Sequence, residues 1–81
     1  MLNIYIFTSR DDSSFTKASE FAIKYSAKLV DKLSSDYDDL YLIATNKIVY
    51  TPTMLMFEDN KEIVRMRDIP DNSFMEVLLN R

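Results

Sequence analysis

The sequence predicts an α/β domain of order β-α-β-β-β-α, built on a mixed four-stranded sheet. Three observations predict it. An apolar N-terminal block is followed by a long amphipathic stretch, a second apolar block closes a β-α-β unit, and two short strand patterns flank a polar turn ahead of a final apolar stripe. With 81 residues the chain is one domain, 1–81, because two separate cores would each fall below the size at which folding without staples is common.

The first strand is read from Leu2 to Phe7, where Ile4, Tyr5, Ile6 and Phe7 form a near-continuous apolar run of the kind covered on both faces. "TSRDDSS" then gathers polar capping residues, and Asp12, Ser13 or Ser14 can each accept from the free N–H groups of a following helix. From Phe15 onward Ala18, Ala22, Tyr25, Leu29 and Leu33 recur at helical spacing, with Phe21 and Val30 widening the stripe and Lys17, Glu20, Lys24, Lys28 and Lys32 largely opposite. This predicts one long helix.

"SSDYDD" breaks that pattern, and "LYLIAT", Leu40 to Thr45, is read as the second strand, parallel to the first through a right-handed crossover. Only Asn46 to Tyr50 separates it from the next strand, so any helix there is expected to be missing or reduced to a turn. "MLMF" and "EIVRMR" around "EDNK" form a hairpin, with Ile63, Arg65 and Arg67 on one face and Glu62, Val64 and Met66 on the other. Phe74, Val77 and Leu78 supply the apolar face of the last helix. The chain contains no glycine where about six are usual, so left-handed positions are expected to fall to Asn or Asp, Asn60 first among them.

Composition excludes much chemistry. There is no Cys and no His, which removes disulfides, thiolate nucleophiles, imidazole bases and most zinc sites. Ten Lys and Arg against 13 Asp and Glu give a net charge of -3, so nucleic acid is not the favoured partner. No 18-residue apolar run or signal-peptide pattern is present, so no membrane association is expected and the cytoplasm is the expected location.

The stretch "YTPTMLMF" sets Thr51 and Pro52 at the mouth of a strand, and the hairpin "EDNKEIVRM" follows it. In this position and element order the chain resembles the thioredoxin and glutaredoxin superfamily. The resemblance implies a cis Thr51–Pro52 bond and a protein-docking face made by the proline turn and the loop after the first strand. The chain departs from the family at that loop. Where relatives carry CxxC it has Asp12, Ser13, Ser14 and Phe15, or Asp11 through Ser14 one residue earlier, and neither frame holds a thiol. Thiol–disulfide exchange needs a thiolate, so the resemblance is to a redox-inactive member, of the KaiB type or a small phage-encoded glutaredoxin-like protein. KaiB-type clock proteins, with their own alanine-threonine-proline-threonine stretch, act by binding.

The expected function is therefore non-catalytic: a protein-binding module, possessing no enzyme activity and no cofactor, whose partner surface is Arg10, Asp11, Asp12, Ser13, Ser14, Phe15, Tyr50, Thr51 and Pro52. A monomer or weak homodimer is expected. The alternative is a glutathione- or peptide-binding glutaredoxin-like protein, with Thr51 pairing an extended peptide near Asp71, Asn72 and Ser73. A hydrolytic site from Asp11, Asp12, Ser13 and Ser14 is set below helix capping. Asp36, Asp38 and Asp39 lack calcium-loop spacing and read as a solvated acidic turn, so no metal is expected. Met54 and Met75 read as core filling, and Arg65 and Arg67 as either a small basic patch or an edge-strand safeguard.

Overall fold

The computed structural model describes residues 1–80. Its elements are β1 (Leu2–Thr8), α1 (Phe15–Tyr25), β2 (Lys28–Asp31), α2 (Tyr37–Thr45), β3 (Thr53–Glu58), β4 (Lys61–Met66) and α3 (Asn72–Leu79). The four strands lie in the order β2-β1-β3-β4. β1 is parallel to β2 and antiparallel to β3, and β3 is antiparallel to β4. The α/β class, the mixed four-stranded sheet and the order β-α-β-β-β-α are those the sequence predicts, with α2 as an additional element.

Two segment assignments change. α1 stops at Tyr25, because Ser26 turns left-handed at φ 54° and Ala27 N–H closes onto Ala22 O at 2.9 Å, the bonding of a Schellman-type helix end. Leu29 and Val30 therefore belong to β2, and Val30 is fully buried there. "LYLIAT" is not a strand. It forms most of α2, so the helix between the second and third strands is present, nine residues long. Asp36 starts it by accepting from Asp38 N–H at 2.8 Å, and Asp38 and Asp39 favour the positive end of its dipole.

Strand alternation divides the core between two faces. Ile4, Ile6, Met54 and Met56 pack with Ala18 and Phe21 of α1 and Met75 of α3. Phe7, Val30 and Leu55 form the other face, with Leu42 and Ile43 of α2 and Ile48 against them. Met54 and Met75 are both 0 % exposed and fill the core. Val77, expected on the inner face of the last helix, is 73 % exposed. Met75 anchors α3 instead, with Asp71 capping it through a 2.8 Å bond from Phe74 N–H.

The hairpin loop is two residues long, with Asp59 at φ 51° and Asn60 at φ 69°, the backbone of a type I′ turn. Besides these, Ser26 and Lys47 are left-handed, so Asn and Asp take only half of such positions. The pairing of β3 with β4 slips between Met56 and Phe57 of β3, whose partners in β4 are Val64 and Glu62. Ile63 is the extra residue of this bulge. It packs beside Val64 and Met66 on the α1 face and does not share a face with Arg65, which pairs with Leu55.

Candidate functional site

Register decides which connections meet. Phe7 pairs with Thr53, Thr8 with Asp31, and Met54 with Met66. The segments after β1, after β2, before β3 and after β4 therefore leave the same end of the sheet. Arg10 to Phe15 and Tyr50 to Pro52 are two of these, and they flank neighbouring strands.

Each half is held by its own bonds. Arg10 reaches toward β2: its backbone N–H donates to Asp31 Oδ1 at 3.2 Å, its Nε to Asp31 Oδ2 at 2.7 Å, and its Nη2 to Leu33 O at 3.2 Å. Burial pushes the Asp31 carboxyl up, and the bonds from Leu33 N–H and from Arg10 outweigh this, holding it below its ordinary value. Asp12 accepts from Ser14 N–H at 2.9 Å and from the Ser14 hydroxyl at 3.0 Å. These bonds hold its carboxyl below the usual range. Asp11 accepts from the Ser9 hydroxyl. Ser14 is the N-cap of α1 but makes no side-chain capping bond, so the local ordering is done by Asp12. Ser13 is exposed, and Phe15 is the half-buried first residue of the helix.

On the other side the Thr51–Pro52 bond is cis. The Thr53 hydroxyl donates to Tyr50 O at 2.5 Å and ties the turn to the base of β3. Thr51 and Pro52 are half-buried, whereas Val49 and Tyr50 are 70 % and 55 % exposed. The Arg67 guanidinium stands over the Tyr50 ring, 4.6 Å from its centroid. Arg65 Nη2 donates to Asn46 O at 2.9 Å and to Glu62 Oε1 at 3.0 Å, and this pairing lowers the Glu62 carboxyl and raises the guanidinium. The two arginines thus brace the 46–50 segment against β4.

The sequence reading missed Asp31, Arg67 and Val49 as parts of this end. The helical spacing of Leu29 and Leu33 hides Asp31 inside a continuous helix, and nothing local in "NKIVY" sets Val49 apart beside Tyr50, which the sequence does assign to the partner surface. The chemistry of the site is narrow. It offers carboxylates already bonded to neighbouring N–H and O–H groups, exposed aliphatic and aromatic side chains, and one arginine in contact with an aromatic ring. Among the described residues no group of three or more His, Cys, Asp or Glu is placed to hold a metal ion. No described helix is long and apolar enough to cross a membrane.

No protein-family model matches the chain, and no curated protein matches it. Solved structures do. Oxidised thioredoxin O2 from Arabidopsis thaliana superposes with a TM-score of 0.73 at 15% identity, over 99% of this chain and 73% of that one. Thioredoxin from Fasciola hepatica gives 0.64 at 16% identity, over 98% and 79%. The solution structure of oxidised Plasmodium falciparum thioredoxin gives 0.67 at 14% identity, also over 98% and 79%. The fold is thioredoxin-like, in a chain without cysteine.

Proposed function

We propose that this chain is a redox-inactive, non-catalytic thioredoxin-like module that binds another protein through the end of the sheet bearing Arg10 to Phe15 and Tyr50 to Pro52. The observation that carries the reading is the pairing of Phe7 with Thr53, which gathers both segments at one sheet end while no thiol stands there to react. Exposed Val49 and Tyr50 supply the apolar contact area that a protein partner uses. A serine in place of a thiolate does not attack a disulfide at neutral pH without a base. Binding is what such a surface retains.

A KaiB-type role is one form of this reading, and a cytoplasmic phage accessory protein that modulates a host or viral protein is the form favoured by the small, glycine-free chain. Affinity capture from a lysate of the encoding organism tests it. The wild type is expected to retain a defined protein that a Tyr50→Ala, Phe15→Ala variant does not. Identical captures by both forms would overturn the assigned surface. Reduced glutathione is titrated in parallel by NMR. Amide shifts confined to residues 9–15 and 50–53 would replace the protein-binding reading with the glutathione one, and unmoved amides are expected.

A further inference from the structure

α2 is apolar where a surface helix should be polar. Its inner side is Leu42 and Ile43, which pack on Phe7, Val30 and Leu55. Its outermost stripe, at positions 37, 41 and 44, is Tyr37, Tyr41 and Ala44, flanked by Leu40. Tyr37 is 78 %, Tyr41 57 % and Leu40 45 % exposed, and the two tyrosine rings stack on each other at 6.4 Å. A surface helix ordinarily carries one apolar stripe, whereas α2 carries a second one opposite its packed side, interrupted only at the flanks by Asp38, Asp39 and Thr45.

The charges at the two ends of α2 say what covers that second stripe. Asp36 and Asp38 lie at its N-terminus and Lys47 directly after its C-terminus. Neither Asp38 nor Lys47 has an oppositely charged side chain within ion-pair distance among the described residues, whereas Asp39 is 3.9 Å from Lys28. α2 is nine residues long, about 13 Å at 1.5 Å per residue. A second α2 laid antiparallel on the first brings each acidic end beside the partner's lysine and each helix N-terminus beside a C-terminus, both favourable. Tyr37 then meets Ala44 of the second copy, and Leu40 meets its Tyr41, twice over by symmetry. The face is self-complementary, as a two-fold interface requires.

We propose that the outer face of α2 is a homodimer interface, occupied by the α2 helix of a second copy packed antiparallel. This surface is separate from the one assigned to Arg10 to Phe15 and Tyr50 to Pro52, and stands or falls without it.

Sedimentation equilibrium of the full chain, from micromolar to millimolar concentration, tests the assignment. The expected mass rises with concentration from 9.5 kDa toward twice that value. Tyr41→Asp should raise the dissociation constant about a hundredfold, as removal of a central aromatic anchor from both halves does. Val77→Asp, a change at an even more exposed apolar residue of α3, should leave it unchanged. Asp38→Lys and Lys47→Asp should each weaken association by roughly five- to tenfold, since each change strikes two symmetric ion pairs. The combined variant should return to within about twofold of the wild type. Circular dichroism confirms that every variant is folded. A mass of one chain at all concentrations, or association indifferent to Tyr41→Asp, overturns the interface. Failure of the combined variant to recover overturns the antiparallel arrangement.

Discussion

Arg10 and Asp31, 21 residues apart, are joined twice: the Arg10 backbone N–H and its Nε both donate to the Asp31 carboxylate. The loop after β1 is thereby tied to the end of β2. Asp31 is only 17 % exposed while the Arg10 side chain is 58 % exposed, so solvent screens part of the attraction. Asp31→Asn is expected to lower stability by about 1 kcal/mol at neutral pH and to broaden or shift the amides of residues 9–12. An unchanged urea midpoint would show that the loop does not depend on this bond.

The same carboxylate sets a pH dependence. Asp31, Asp12 and Glu62 are each held below their ordinary values by hydrogen bonds. A carboxyl depressed in the folded state adds stability that is complete above its unfolded value and lost as pH falls through its folded value. The wild type should therefore lose stability progressively below about pH 4. Asp31→Asn should flatten part of that acid slope. Urea midpoints measured across this range check both statements, and parallel slopes for the two proteins would contradict the role given to Asp31.

Leu55 and Val77 make a sharp contrast. Leu55 is 0 % exposed at the centre of the α2 face and Val77 is 73 % exposed. Leu55→Ala should cost about 2 to 5 kcal/mol, a large share of the stability available to a domain this small. Val77→Ala should change stability by less than about 0.5 kcal/mol. Thermal and urea unfolding decide between them.

Tyr50 and Arg67 should be energetically coupled. A cation over an exposed ring is worth about 0.5 to 1 kcal/mol, so a double-mutant cycle of Tyr50→Ala and Arg67→Ala should return a coupling of that size. A coupling indistinguishable from zero would mean that the ring and the guanidinium are neighbours without mutual stabilisation.

Ser26 is the left-handed residue that ends α1, at φ 54° and exposed. A non-glycine residue carries a steric cost there that glycine does not. Ser26→Gly is expected to stabilise by about 0.5 to 1 kcal/mol. A fall in the melting temperature would show that the serine side chain has a role beyond the turn.

Ser26 also explains why half of the middle of the chain was illegible. β1, the hairpin and the Thr-Pro turn are legible in place because an unbroken apolar run, polar turns and proline are local signals. The end of α1 ordinarily announces itself by glycine, and here a serine adopts that conformation. With no stop signal, Leu29 and Leu33 continued the helical spacing by coincidence, although they lie in and after a four-residue strand. "LYLIAT" failed for a different reason. Its inner and outer faces are both apolar, so no helical periodicity stands out, and a short apolar run reads equally as a buried strand. At the candidate site, the Arg10 to Phe15 and Tyr50 to Pro52 segments were legible from motif and order. Asp31 and Arg67 were not, because tertiary register alone brings them to the same end of the sheet.

The slip at Ile63 has a consequence for the sheet as a whole. Its two margins are β2, four residues long, and β4, whose backbone is kinked by the extra residue and whose side chains include Lys61, Glu62 and Arg65. Neither margin presents a long, flat, uncharged row of unpaired N–H and C=O groups, which is what a foreign strand needs in order to add on. The folded chain is a poor seed for fibril growth.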